Sequence, residues 1–267
     1  MIAAGDAEFT EGCFKRMLAA LKGAGYAFAG FGERHDGRHV LWRHDVDLSP
    51  HRALALAKIE AEEGAIATYF VNPRANFYSL SEREVVKIVS HISGLGHQIG
   101  LHFDGDAQGA GNWTAESLEA AVAEEARLLR LAVGFKIMAV SWHNPDLGNL
   151  LDFDANVIAG LHNVYCRRIR DEYTYCSDSN GYWRFKPMTE VIAEGHDRLH
   201  LLTHPEWWTP EPMSPSDRIH RAINGRAKAN RRFYDELIAA AGRANVGAAP
   251  DADSVQIAAS RVNSTEA

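Results

Sequence analysis

The sequence predicts an α/β fold whose parallel strands are buried on both faces, a barrel in preference to a doubly wound sheet. Short apolar segments rich in β-branched and aromatic residues alternate with amphipathic segments of helical period, in units of roughly 30 residues. Several of the strand-like segments end in polar clusters, as in barrels whose working loops follow the C-terminal ends of the strands. With 267 residues, 46% of them hydrophobic, the chain can bury a substantial core as a single domain.

Each element has its own signal. Residues 9–24 carry Phe14, Met17, Leu18 and Leu21 at helical spacing behind Thr10, a cap residue. The segment HVLWRHD, 39–45, is strand-like, and Ser49-Pro50 then opens a helix that closes at Gly64. IATYFV, 66–71, reads as a buried strand. Ser81, with Glu84 three residues on, predicts a capping box for a helix closed by Gly94 or Gly96. QIGLHF at 98–103 is the next strand, 114–131 the clearest helix, and KIMAVSWH at 136–143 a further strand. A helix over 152–160, strands near HNVYCR, TYCSDS and HLLTHP, and a helix over 214–243 complete the alternation. The expected organisation is a helical lead-in over 1–37, the barrel over 38–243 and a poorly ordered tail over 244–267.

Composition excludes several functions. The 35 acidic and 28 basic residues leave a formal charge of -7, the wrong sign for tracking a nucleic-acid backbone. No stretch approaches the roughly 18 apolar residues of a membrane span, and charges interrupt the N-terminal segment before an apolar run of secretory length develops. A cytoplasmic location is the expectation. Cys13, Cys166 and Cys176 form no CxxC and read as reduced structural residues.

Four polar clusters close four strand-like segments. Asp45 and Asp47 are two apart, so on a strand both point to one side while Val46 points away. Two carboxylates so close disfavour double ionisation unless a cation is nearby, and a divalent metal is the common remedy. The rival reading pairs one Asp with Arg43 and uses the other to cap the following helix. His102 and Asp104 repeat the spacing, His143 stands before the Asn144-Pro145 turn, and His204 follows an apolar strand. Imidazole and carboxylate together suit zinc or a similar first-row ion, and a histidine is suited to proton donation near neutral pH. In SDSNGYWR, Asp178 is placed to orient a catalytic side chain and Trp183 to wall a pocket, with an Asx turn as the plainer account.

The ordered series RHDVD, ATYFV, GHQIGLHFD, SWHNP, SDSNGYWR and LLTHP resembles the polysaccharide deacetylase superfamily, carbohydrate esterase family 4, over residues 38–208, as a divergent member. The resemblance implies a distorted (β/α) barrel, usually of seven parallel strands, that removes acetyl groups from sugars with a divalent metal; zinc is the ion expected here. It implies Asp45 as catalytic base, Asp47 and His102 as metal ligands, and His204 as general acid. The family's aspartates are adjacent, so the insertion of Val46 leaves the roles of Asp45 and Asp47 exchangeable. Its second histidine ligand falls on Asp106, so the third ligand is His143, Asp104 or Asp106, of which His143 is chosen. Arg43, Asp104, Asn144, Asp178, Trp183 and Arg184 take substrate-binding or supporting roles. The expected activity is hydrolysis of the amide of an acetylated sugar or glycan precursor, in surface-glycan assembly; the alternative is an inactive barrel that binds a glycan or a partner protein.

Overall fold

A computed structural model describes residues 9–108 and 112–247. By compactness the chain divides into two units, Met1–Ala222 and Ile223–Ala267. The strands and the candidate site all lie in the first. The described residues of the second are the continuation of the last helix and the turns up to residue 247, and the expected tail lies outside the described residues from 248 on.

Among the described residues nine strands form one sheet: β1 (Ala27–Ala29), β2 (His39–Val46), β3 (Thr68–Val71), β4 (Gln98–Phe103), β5 (Ala139–Trp142), β6 (Val157–Ile158), β7 (Leu161–Asn163), β8 (Thr174–Ser177) and β9 (Arg198–Thr203). The order is β6-β7-β5-β4-β3-β2-β9-β8, and every pairing is parallel except β6 with β7. The run from β7 to β8 holds seven parallel strands; β1, parallel to β2, and β6, antiparallel to β7, take the sheet beyond the seven strands expected. Among the described residues no strand pair closes the ring between β8 and β6, which is the distortion. β1 pairs with the N-terminal half of β2, His39 to Leu41, and β3 with its C-terminal half, Arg43 to Val46.

Strand alternation sorts β2 between two cores. Val40, Trp42 and Val46 join the large cluster shared with the helices, whereas Leu41 packs inside the curl with Phe31, Phe70 and Ala139. Arg43 and Asp45 share the parity of Leu41, so the inner face turns polar toward the C-terminal end of the strand. The helices α1 (Glu11–Gly23), α2 (Pro50–Glu62), α3 (Arg83–Gly94) and α4 (Ala115–Val133) cover the outer face with Phe14, Leu56, Ile88 and Leu129, among others. Three shorter or later helices follow: α5 (Arg167–Glu172), α6 (Met188–Glu194) and α7 (Pro215–Ala240).

Capping follows the sequence at α1, where Thr10 Oγ1 accepts from Cys13 N at 3.2 Å, and at α2, where Ser49 Oγ accepts from Arg52 N at 3.3 Å. Two expectations fail. The helix foreseen from Ser81 begins at Arg83 after Glu82, with no side-chain cap bond; the Glu82 carboxylate turns back to Ser79 N instead, at 3.1 Å. The helix foreseen over 152–160 is a β6–β7 hairpin: Ala159 and Gly160 adopt φ of 49° and 76°, the left-handed pair that a tight hairpin requires and a helix excludes. Among the described residues no helix is long and apolar enough to cross a membrane.

Candidate metal centre and active site

The C-terminal ends of β2, β4, β5 and β9 deliver Asp45, Asp47, His102, His143 and His204 to one cavity of about 480 Å³. Val46, between the two aspartates, is buried on the opposite face, as the alternation requires. His44 also leaves the cluster. It lies on the helix side of the sheet, with Nε2 2.7 Å from Glu60 Oε1 and its ring stacked on Tyr69 at 4.4 Å. That network braces the strand and takes no part in the cavity.

Asp47, His102 and His143 bring one ligand atom each within 4.8 Å of one another. Asp47 Oδ1 lies 3.1 Å from His102 Nε2 and 3.4 Å from His143 Nδ1, and the two ring nitrogens are 3.2 Å apart. Asp47 Oδ1 is nevertheless buried with no hydrogen-bond partner. A buried carboxylate oxygen without a donor, facing two imidazole nitrogens, fits a cation held between them by oxygen and nitrogen ligands. Burial works against the charge of Asp47, but His102, His143 and His204 outweigh it and hold the carboxyl well below the usual carboxylate range. His143 is raised: burial opposes its charge, and Asp47 overcomes that.

Asp45 is 2% exposed, with Oδ2 3.1 Å from Arg43 Nη2 and Oδ1 3.4 Å from the hydroxyl of Ser141. Arg43 is wholly buried, also donates to Tyr165 OH at 2.7 Å and lies over that ring at 4.7 Å. The pairing of Arg43 with an aspartate thus coexists with the cavity. The helix cap, in turn, is Ser49 and neither aspartate.

His204 faces Asp47 from the other wall, Nε2 to Oδ2 at 3.9 Å. Its Nδ1 is 2.7 Å from Asp178 Oδ1, and Asp178 also accepts from the backbone N–H of His204 and from Trp208 Nε1. Burial disfavours the imidazolium, but Asp178 prevails and pushes His204 up to about 10. The ring is therefore a charged donor at neutral pH.

The remaining predicted residues are more peripheral. Asp104 lines the cavity while its Oδ1 caps Ala107 N at 3.1 Å, and Asp106 opens the short helical turn that follows. Asn144, at φ 45°, has its side-chain amide 3.0 Å from His143 Nε2. Arg184 reaches Asp146 at 3.2 Å at the cavity rim. Trp183 does not line the cavity; it packs on Phe9 and on Trp208, the indole that holds Asp178. Four lining or bracing residues carry no role in the sequence reading: Tyr165 and Glu206 have no signal of their own, and Ser141 and Tyr175 lie in polar clusters without an assignment. Glu206 is 2% exposed with Oε2 unpartnered; burial, then the charge of Asp47, raises its carboxyl well above the ordinary range. The THPE run could have marked it only through its closeness to His204.

No protein-family model and no curated protein matches the chain. Among solved structures it is similar to a carbohydrate esterase family 4 pseudoenzyme from Bacillus anthracis, at TM-score 0.40 and 12% identity over 74% of this chain and 63% of that one. It is similar to the catalytic domain of a peptidoglycan N-acetylglucosamine deacetylase from Eubacterium rectale ATCC 33656, at TM-score 0.42 and 13% identity over 78% and 90%. A family 4 acetyl xylan esterase from Clostridium thermocellum, in complex with a cobalt ion, gives TM-score 0.38 and 17% identity over 70% and 84%. Against the Bacillus anthracis structures the chain spans 63 to 65% of their length.

Proposed function

We propose that the chain is a metal-dependent hydrolase that removes an acetyl group from an N-acetylated sugar or a related amide. The observation that carries this reading is the convergence of Asp47, His102 and His143 on a cavity whose opposite wall holds His204 as a charged proton donor. Zinc or a similar first-row ion suits the donor set and, when bound, would supply Lewis-acid activation of water and of the acyl carbonyl. Asp47, His102 and His143 would hold it.

The chain's own groups then divide the proton transfers. Asp45, fixed by Arg43 and Ser141 beside the ligands, is the base that takes the proton of the attacking water. His204 presents Nε2–H to the cavity and donates to the departing amine nitrogen, while Asp178 holds the ring through Nδ1. At the rim, Asn76, Phe77 and Tyr182 offer the mixture of amide and aromatic surface that suits a sugar ring. A glycan precursor, nucleotide-linked or lipid-linked, is the proposed substrate class.

Acetate release from a panel of N-acetylated sugars, with metal content measured on the same samples, tests the reading. The expected result is metal-dependent release that falls about 10²–10⁴-fold in Asp45→Asn and in His204→Gln. A metal-loaded protein that binds a panel sugar and releases no acetate would instead identify a glycan-binding barrel.

A further inference from the structure

Ser141 lies on β5, wholly buried, between the ring of His102 and the carboxylate of Asp45. Its Oγ is 2.7 Å from His102 Nδ1 and donates to Asp45 Oδ1 at 3.4 Å. An ionised carboxylate only accepts, so in the Ser141–Asp45 bond the hydroxyl is the donor. The hydroxyl oxygen then meets His102 with its lone pairs, and the 2.7 Å contact is a hydrogen bond only if Nδ1 carries the hydrogen. The other nitrogen, Nε2, is left with a lone pair in the cluster, 3.1 Å from Asp47 Oδ1 and 3.2 Å from His143 Nδ1.

The direction of this chain is fixed from its far end. Arg43 donates to Asp45 Oδ2 at 3.1 Å, so the carboxylate is held ionised and oriented by a buried guanidinium and can only accept from Ser141. Without the hydroxyl, the Nδ1 hydrogen of His102 has no acceptor within reach, since Asp45 Oδ2 is 3.8 Å away. The hydrogen would then be better placed on Nε2, against the unpartnered oxygen of Asp47. A protonated Nε2 cannot ligate a metal.

We propose that Ser141 is a positioning residue that sets the tautomer of His102, leaving Nε2 free as a ligand for a divalent cation. The inference rests on the metal-site reading for its purpose, but the tautomer belongs to the metal-free chain and is measured without a metal. Partners that orient a ligand in this way typically change affinity by about 10–100-fold when removed.

The test uses the full chain with ¹⁵N-labelled histidine, free of metal, and two-bond ¹H–¹⁵N correlations that show which ring nitrogen is protonated. Wild-type protein is expected to show His102 with Nδ1–H, and Ser141→Ala to shift it to Nε2–H and weaken Co²⁺ binding about 10–100-fold. Ser141→Thr, which keeps the hydroxyl, is expected to restore both. His97 is the internal control: it accepts from Ala67 N through Nδ1 at 3.2 Å and faces Ala57 O through Nε2 at 2.9 Å, so its tautomer stays put while the fold is intact. Ser141→Ala with an unchanged His102 tautomer and unchanged Co²⁺ affinity overturns the proposal. A wild-type chain that bound no Co²⁺ yet showed the Ser141-dependent tautomer would uphold it and remove the metal reading instead.

Discussion

Asp178 holds His204 by two routes, its carboxylate 2.7 Å from Nδ1 and 3.0 Å from the backbone N–H of the same residue. The carboxylate is wholly buried and its other oxygen accepts from Trp208 Nε1 at 2.8 Å. Orientation and charge of the proton donor are therefore set by one residue on the loop after β8. Removing it leaves a buried imidazolium and an indole N–H without acceptors. Asp178→Ala is expected to destabilise the fold by about 3–5 kcal/mol, read as a lower midpoint of urea unfolding. Unchanged stability would show that the contact carries no load.

The same pair predicts a pH dependence for the metal-free chain. His204 is raised from the ordinary histidine value to about 10, so the folded state binds its proton more tightly than the unfolded chain does. Its contribution to stability is complete below the unfolded value of about 6.5 and is lost as pH climbs through about 10. Unfolding followed from pH 6 to pH 10.5 should show stability falling across that window, with a flatter profile in His204→Gln. Parallel profiles for the two proteins would contradict the assignment.

Arg43 predicts an asymmetry between partners. Arg43→Met strands Asp45 as an unpaired buried carboxylate and should cost about 3–5 kcal/mol, whereas the double variant Arg43→Met/Asp45→Leu, which removes both charges, should recover much of that loss. Chemical unfolding of the cycle reads the coupling directly. Additive losses would mean that the 3.1 Å contact does not couple them.

Gly100 tests the inner face. Its register partner on β3 is Phe70, and a Cβ at Gly100 would come within 2.4 Å of that ring. Gly100→Ala is expected to cost about 1–3 kcal/mol through overpacking, and Gly100→Ala/Phe70→Leu to cost less than the two single changes added together. Strict additivity in thermal or urea unfolding would deny the close approach.

How far the sequence could be read follows from what each residue signals alone. β2, β3, β4 and β5 are buried on both faces and so stand out as apolar runs, and the polar residues that end them announce the cavity. α5 and α6 are six and seven residues long, too short for a periodic stripe, and were not visible. The 152–160 segment has helical composition, yet the left-handed pair Ala159-Gly160 turns it into a hairpin. Asp47, His102 and His143 were legible because metal-ligating residue types followed strand-like segments. Ser141 was not: one serine in an apolar strand has no spacing or partner in the sequence. Its neighbours come from β2 and β4, brought together only by register. Glu206 was hidden for a similar reason, since its burial depends on the turn after β9.

Titration of Co²⁺ or Zn²⁺ into the metal-free chain by calorimetry, on the wild type and on alanine variants of the cluster, tests the central claim. The account predicts saturable binding in the wild type and in Asp104→Ala, whose carboxylate caps Ala107 N, and severe loss in Asp47→Ala, His102→Ala and His143→Ala. Full affinity in His143→Ala together with loss in Asp104→Ala, or equal affinity in every variant, would contradict it.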